Sequence, residues 1–277
     1  MYRLVVCDMD ETLLGSNAQI PTRNVAAIKD AHERGAKFVP NTGRAARSLG
    51  YVLDTLGLAD QKDEYVISYN GAAVFSNADP LHPIITNGLP YATVARLFDL
   101  AQSRGLDTHV YTADQLYVWN MTAADRDYLG RRKVIYKEVR GALSFLKATP
   151  IMKIIFYLAD EQERLAFQKV ITTTVPAPLN ITFSSDMYVE VNASEADKGQ
   201  AAVALGRRLG IKPAEIIAIG DNLNDVAMLK DAGLGVCVAN GREDVKRLAD
   251  YVTTADNDAG AVGEVIERFV LNGDYPN

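Results

Sequence analysis

Short apolar runs alternate with helical patterns at both ends of the chain, and this rhythm limits the possible folds more than any other feature. The helical segments between the runs carry apolar residues three or four positions apart. The strand-like runs themselves lie at residues 4–7, 37–40, 65–70, 216–219, 234–239 and 251–254. Strands that alternate with helices of this length predict right-handed β–α–β units and a parallel sheet.

The middle of the chain has a different pattern. Proline and glycine become frequent around residues 79–90, and helical patterns at residues 92–104 and 161–170 then stand beside apparent hairpins. This pattern is typical of an α+β unit inserted into an α/β domain. We therefore predict an α/β fold whose parallel-sheet core comprises residues 1–83 and 188–277, with an α+β insertion at residues 84–187.

Composition limits the partners and the compartment. The 277 residues carry a net charge of −6, which argues against nucleic acid or an anionic membrane as the main partner. Cys7 and Cys237 both lie in apolar runs, so we expect free thiols and a reducing compartment. The N-terminus does not resemble a signal peptide, and no apolar run is long enough to span a bilayer. We expect a cytoplasmic protein, and nothing in the sequence indicates an oligomeric state.

Polar clusters stand where strands of the predicted sheet end or where a helix begins. The clusters are Asp8-Met9-Asp10, Thr42-Gly43-Arg44, the segment from Asp221 to Asp225, and Asp197-Lys198-Gly199. Open parallel sheets bind ligands at the carboxyl ends of their strands. Each cluster alone could be an ordinary turn, a helix cap or a surface lysine, but all of them in this order predict one crevice.

The chemistry of these residues suits a phosphoryl group. Asp8, Asp10 and Asp221 would repel one another unless a cation lay between them, and Mg²⁺ prefers such oxygen ligands. Lys198 adds a positive charge, and the Thr42 hydroxyl with nearby N–H groups adds hydrogen-bond donors. Phosphoryl transfer is catalysed mainly by positioning and charge neutralisation, and a carboxylate can itself attack phosphorus.

Taken together, these segments carry a specific resemblance. DMDETLL at residues 8–14, NTGR at 41–44, EADKGQA around Lys198 and GDNLNDVAML at 220–229 occur in the order found in the haloacid dehalogenase superfamily. SYNGAAVF at residues 68–75 narrows the resemblance to its Cof-type phosphatases, which have a large α/β cap of the C2, type IIB class. The resemblance covers nearly the whole core and implies a Rossmann-like core with an inserted cap.

The resemblance implies a Mg²⁺-dependent phosphatase and a role for each matching acid. Asp8 would be the nucleophile, and Asp10 would protonate the leaving alkoxide and then take a proton from the hydrolytic water. Asp8, Asp221 and the backbone carbonyl of Asp10 would hold Mg²⁺. Asp225 would support these ligands through hydrogen bonds from behind.

The resemblance also implies a phosphate site and a class of substrate. The phosphoryl oxygens would be bound by Thr42, Gly43, Lys198 and Asn224. The substrate would be a small phosphate monoester, such as a sugar phosphate or a related metabolite. The inserted cap would exclude water and select the substrate.

Some positions depart from the family pattern or leave alternatives open. Glu11 stands where most relatives have glycine, and it could point to solvent or cap the flanking loop. Asn41 replaces the more usual alanine before Thr42, and Asn240 lies in a segment that differs slightly from the usual Asn-Ala. Arg44 and Arg47 could face the pocket or pair with surface acids.

Other functions have less support. A phosphomutase or phosphotransferase could use the same aspartyl-phosphate, and a sensor module could bind Mg²⁺ and phosphate without turnover, although Asp10 has no evident use in a sensor. No G-x-x-x-x-G-K-[ST] segment occurs, and no G-x-G-x-x-G segment follows the first strand, so nucleoside triphosphate and dinucleotide binding lack support. His32, His82 and His109 lack zinc-ligand spacing and are expected to be surface or structural residues.

Overall fold

The computed structural model describes residues 1–274, which form two compact units. The first unit comprises Met1–Ile85 and the chain from Asp197 onward, and the second comprises Thr86–Ala196. Among the described residues, no helix combines the length and the apolarity needed to cross a membrane.

Strands and helices alternate along most of the described chain. The strands are β1 Leu4–Cys7, β2 Lys37–Pro40, β3 Tyr65–Ser68, β4 Ala73–Ser76, β5 Ile85–Thr86, β6 Thr108–Thr112, β7 Leu116–Trp119, β8 Lys137–Glu138, β9 Ile151–Tyr157, β10 Leu179–Ser184, β11 Tyr188–Ala193, β12 Ile216–Gly220, β13 Leu234–Cys237 and β14 Tyr251–Val252. The helices are α1 Thr22–Glu33, α2 Gly50–Leu56, α3 Tyr91–Gln102, α4 Ala123–Arg131, α5 Glu161–Thr174, α6 Lys198–Arg208, α7 Val226–Asp231, α8 Glu243–Lys246 and α9 Ala261–Val265.

The first unit is built on a parallel sheet. In the described residues its strand order is β14-β13-β12-β1-β2, and all four pairings are parallel. Leu4 and Val6 pack with α6 and α7 on one face, whereas α1 packs against α9 and β2. Both faces are therefore covered, which explains why the strands are apolar throughout instead of alternating. Because the strands are parallel, their carboxyl ends meet at one edge.

The second unit has an α+β fold. Within Thr86–Ala196 the sheet order is β10-β11-β9-β6-β7-β8, and every pairing is antiparallel except that of β7 with β8. Its core joins one face of the sheet to α3 and α5 through side chains such as Phe98, Phe156 and Phe167. This arrangement confirms the predicted fold class, a parallel α/β core with an inserted α+β unit.

The boundaries of the inserted unit differ from the predicted residues 84–187. The structure has them at 85/86 and 196/197. β11 accounts for most of the difference, because it pairs antiparallel with β9 and β10 and so belongs to the second unit. A strand pattern in the sequence does not indicate which sheet the strand joins.

A cluster of ionisable side chains is buried in the second unit. His109 Nε2 on β6 lies 2.6 Å from Asp125 Oδ2 on α4 and 3.6 Å from Asp107 Oδ1, and all three side chains are at most 1% exposed. The Tyr188 hydroxyl donates to Asp125 Oδ1, and Thr122 donates its N–H and hydroxyl to Asp107 Oδ2. Two ligands of one tetrahedral zinc ion would lie about 3.3 Å apart. The 2.6 Å separation is that of a hydrogen bond, so these residues form a hydrogen-bonded ion cluster.

The cluster favours the imidazolium form of His109. Burial alone would lower the pKa of His109, but the hydrogen bond to Asp125 and the negative charges of Asp107 and Asp125 raise it above its usual value. Burial alone would raise the pKa of Asp125, but its hydrogen bond to His109 lowers it. A histidine with a raised folded pKa stabilises the fold fully below its unfolded pKa of about 6.5. That stabilisation is lost as the pH rises through the folded pKa.

We predict that His109→Gln lowers the free energy of unfolding, and that the difference from wild type is largest near pH 6 and shrinks as the pH rises. Urea denaturation of both proteins across this pH range measures it. His82→Gln is the matched control, because His82 is 82% exposed and pairs only with a half-exposed Asp79. A wild-type advantage that does not change with pH would contradict a stabilising charge on His109.

Candidate active site

Asp8 lies at the carboxyl end of the central strand β1. Its N–H donates to the Ile219 carbonyl at 2.9 Å, which continues the ladder with β12. The chain then enters a tight turn, Met9–Leu13, closed by a 2.9 Å hydrogen bond from the Leu14 N–H to the Met9 carbonyl. Asp8 is buried, so its carboxylate depends on partners from other loops.

Lys198 supplies the main partner of Asp8. It is the first residue of α6, where the Asp197 carboxylate caps the helix by accepting from the N–H groups of Gly199 and Gln200 at 2.9 Å each. The Lys198 side chain is 1% exposed, and its Nζ forms ion pairs with Asp8 Oδ1 and, at 2.7 Å, with Asp225 Oδ1. The ammonium group therefore joins two carboxylates from different strand ends.

Asp221 and Asp225 come from the loop after β12. The Asp225 Oδ2 accepts from the N–H groups of Asp221 and Asn222 at 3.0 Å each, so both of its oxygens are engaged. Gly220 permits this close turn, because a Cβ at that position would lie 2.5 Å from the Asp225 Cβ. The Asp221 Oδ1 accepts from the Thr12 hydroxyl at 2.7 Å, which ties this loop to the turn after Asp8.

Thr42 and Gly43 lie at the carboxyl end of β2, and polar side chains hold their loop in place. Asn41 is fully buried and donates to the Lys198 carbonyl at 3.1 Å, which joins the loop to the start of α6. The Thr42 N–H donates to the Ile67 carbonyl, and the Thr42 carbonyl accepts from the N–H of Asn70. The substitution of Asn41 for the usual alanine thus has a structural use that the sequence alone did not indicate.

Asp10 and Asn224 are exposed, in contrast to the buried residues of the candidate site. The Asp10 side chain is 59% exposed, and both of its oxygens are bound by the guanidinium of Arg44. This contact answers the question that the sequence left open for Arg44, which pairs with an acid of the candidate site. Asn224 is exposed on the turn before α7, and no residue among 1–274 forms a hydrogen bond with its side chain.

Burial dominates the electrostatics of the acids. Burial raises the pKa of Asp8 to about 7, with Asp225 and Asp221 adding to the effect and Lys198 opposing it. Burial likewise raises the pKa of Asp221 to about 6, although the Thr12 hydrogen bond lowers it in part. Burial alone would lower the pKa of Lys198, but the charges of Asp8 and Asp225 raise it above its usual value. Lys198 therefore stays charged. Its single positive charge does not compensate for the burial of the acids around it.

The donor set fits a divalent cation. Carboxylate oxygens of Asp8, Asp221 and Asp225 all lie within 4.8 Å of one another. Three carboxylates and one ammonium leave two negative charges in a buried site, which a divalent cation would balance. Asp8 and Asp221 each keep one oxygen that accepts no hydrogen bond from residues 1–274, whereas both oxygens of Asp225 are engaged.

The family departures at Glu11 and Asn240 form one contact. Glu11 adopts φ 61°, a left-handed conformation that glycine adopts without strain, so the turn is kept at a cost of about 1 kcal/mol or more. Its carbonyl accepts from the Asn240 side chain at 2.7 Å, and the Asn240 Oδ1 accepts from the N–H of Asn257 at 2.9 Å. Tertiary hydrogen bonds thus support the strained turn.

The fold and the site define an α/β protein with an acid-rich centre at the carboxyl edge of a parallel sheet, and comparison with known proteins identifies its family. Residues 5–266 match the sequence model of the haloacid dehalogenase-like hydrolases. The chain therefore belongs to that family.

Similar proteins agree with this assignment. YxeH of Bacillus subtilis (strain 168) is 32% identical over 98% of this chain and 99% of its own. The 5-amino-6-(5-phospho-D-ribitylamino)uracil phosphatase YcsE of the same strain is 28% identical over 97% and 96%. A haloacid dehalogenase-like hydrolase structure from Bacteroides thetaiotaomicron matches with a TM-score of 0.84, 26% identity and coverage of 96% and 99%. The predicted family, fold class and enzyme class, a phosphatase-type hydrolase, are confirmed.

We predict that Lys198→Met lowers the free energy of unfolding by about 3 kcal/mol or more, because it leaves Asp8 and Asp225 buried without their cation. Chemical denaturation measures the loss. In the double variant Lys198→Met/Asp225→Asn, one of the uncompensated charges is removed and part of the stability should return. Lys246→Met is the control, because the Glu243 partner of Lys246 is 75% exposed and the change should stay within about 0.5 kcal/mol. An equal loss in both lysine variants would refute the argument.

Proposed function

We propose that this protein is a Mg²⁺-dependent phosphatase that hydrolyses a small phosphate monoester through an aspartyl-phosphate on Asp8. The observation that carries the proposal is the convergence of Asp8, Asp221, Asp225 and Lys198 in one buried cluster beside the Thr42–Gly43 loop. Membership of the haloacid dehalogenase-like hydrolases supports the same chemistry.

The first step transfers the phosphoryl group to the protein. A carboxylate oxygen of Asp8 attacks phosphorus, and the ester P–O bond breaks with its electron pair going to the leaving oxygen. Asp10 donates the proton that this oxygen needs. Lys198 offsets negative charge beside Asp8, and together with Thr42, Gly43 and Asn224 it binds the phosphoryl oxygens.

The second step returns Asp8 to its starting state. Asp10, now ionised, takes a proton from a water molecule whose oxygen attacks phosphorus. The bond between phosphorus and the Asp8 oxygen breaks, its electron pair returns to the carboxylate, and inorganic phosphate leaves. The position of Asp10 two residues after Asp8 lets one carboxyl group serve both steps.

Mg²⁺ fits the remaining charge and the oxygen ligands of the site. Asp8, Asp221 and the Asp10 backbone carbonyl would hold it, and Asp225 would orient Asp221 and Lys198 through its hydrogen bonds. When bound, the ion supplies charge neutralisation for the transferred phosphoryl group.

The second unit, Thr86–Ala196, is proposed to be the cap that selects the substrate. We propose a phosphorylated sugar or a related cytoplasmic metabolite as that substrate. The relative YcsE supports this class, because its name describes a phosphate carried on a ribityl chain.

We predict that Asp8→Asn lowers kcat for phosphate release by at least about 10³-fold, because an amide does not replace the attacking carboxylate. Malachite-green detection of phosphate from a panel of phosphorylated sugars, nucleotides and cofactors measures it. A cooperative denaturation transition and an unchanged circular dichroism spectrum would establish that the variant is folded, and a kcat near the wild-type value would rule out Asp8 as the nucleophile.

The same panel separates hydrolysis from phosphoryl transfer. A phosphomutase would pass the phosphoryl group from Asp8 to a second sugar hydroxyl, and isomer would form without free phosphate. Turnover that yields isomer alone would replace the phosphatase assignment while keeping Asp8 as nucleophile. Binding of phosphate and Mg²⁺ with no turnover of any ester would favour a sensor module.

We predict that millimolar Mg²⁺ raises the melting temperature of the wild-type protein by a few degrees, because a bound ion stabilises the folded state. Chelation should also stop turnover. Asp221→Asn should remove the thermal shift, since it removes one of the two carboxylates with an available oxygen. Asp54→Asn, on the exposed face of α2, should retain it. A shift of equal size in both variants would place the ion elsewhere.

A further inference from the structure

The ion pair of Asp10 and Arg44 is bidentate although both side chains are exposed. Asp10 is 59% and Arg44 42% exposed, a setting in which ion pairs contribute little to stability. Yet the contact is bidentate: Nε of Arg44 donates to Asp10 Oδ2 at 3.1 Å, and Nη2 donates to Oδ1. A planar guanidinium that holds both oxygens fixes the plane of the carboxylate, which a lysine ammonium would not do.

Both residues are held by the backbones of the candidate site. The N–H of Arg44 donates to the Thr42 hydroxyl at 3.1 Å, and its carbonyl accepts from the Tyr69 N–H at 3.3 Å. Asp10 lies in the closed turn after Asp8, directly before the strained Glu11. The pair thus joins the turn after β1 to the loop after β2, across 34 residues of sequence.

We propose that Arg44 is a positioning residue for Asp10, which it holds in the orientation needed for proton transfer. The proposal rests on the role of Asp10 in the proposed function. An exposed carboxylate on a turn has free rotamers, and proton transfer requires one of its oxygens to lie within about 3 Å of the leaving oxygen. The fork removes that rotational freedom, and it uses one lone pair on each oxygen, so the second lone pair of each oxygen can still take part in proton transfer. Arg44 gives up no proton itself, because guanidinium remains charged in proteins.

The basicity of the leaving group distinguishes a residue that acts through Asp10 from a residue that binds the phosphoryl group. A 4-nitrophenolate leaves without a proton, whereas a phenolate is a much stronger base and benefits from one. In the first step, a residue that acts through Asp10 matters for phenyl phosphate and much less for 4-nitrophenyl phosphate. A residue that binds the phosphoryl group directly matters equally for both, because their phosphoryl groups are identical.

The experiment compares Arg44→Gln, Asp10→Asn and the double variant with Mg²⁺ and the two aryl phosphates. We expect Arg44→Gln to lower kcat/KM for phenyl phosphate about tenfold or more and for 4-nitrophenyl phosphate about twofold at most. The ratio kcat/KM reports the first step, whereas kcat also contains hydrolysis of the aspartyl-phosphate, in which Asp10 acts for both esters. For phenyl phosphate, the double variant should match Asp10→Asn within about twofold, because Arg44 has no effect once Asp10 is replaced.

Controls separate this proposal from a structural effect and from the proposed function. Arg47→Gln changes an exposed arginine three residues further on and should leave both rates unchanged, and melting temperatures report on the fold. Equal losses of kcat/KM for the two esters, or a further loss when Arg44→Gln is added to Asp10→Asn, would overturn the positioning role. If Asp10→Asn itself left phenyl phosphate turnover intact, the proposed function of Asp10 would fail instead.

Discussion

The ammonium group of Lys198, held between the carboxylates of Asp8 and Asp225, is the interaction on which the rest of the site depends. It is almost fully buried and joins three chain segments: the end of β1, the start of α6 and the loop after β12. Breaking a buried ion pair by removing one partner leaves an uncompensated charge, which is among the most costly changes in a folded protein. The cluster therefore constrains the backbone around it as much as any apolar contact.

Polar ties around this cluster fix the loops that the sheet brings together. Asn41 links the loop after β2 to α6, and Thr12 links the turn after β1 to Asp221. These polar ties act together with apolar contacts, because Met9 and Leu13 of the turn after β1 are fully buried. The result is a buried half of the site joined by hydrogen bonds, beside an exposed half that contains Asp10 and Arg44.

Each of the two units contains a buried cluster of ionisable side chains, and the clusters differ in net charge. In the second unit, one imidazolium lies between two carboxylates that also accept hydrogen bonds from Tyr188 and Thr122, and one negative charge remains. In the first unit, three carboxylates share one ammonium and two negative charges remain. Buried acids alone thus do not indicate a ligand site. The two clusters differ in the negative charge that remains, which is one in the second unit and two in the first.

The strand and helix rhythm, the inserted unit and the four polar segments followed from the sequence, because periodicity and local turn chemistry are encoded within short windows. The partners of Arg44, the use of Asn41 and the sheet that β11 joins required the tertiary structure. Each depends on which segments meet in space, at separations of 34 residues for Arg44 with Asp10 and 157 residues for Asn41 with Lys198. Local sequence determines which residues can do chemistry at a strand end; packing decides which of them face one another and whether their charges are balanced.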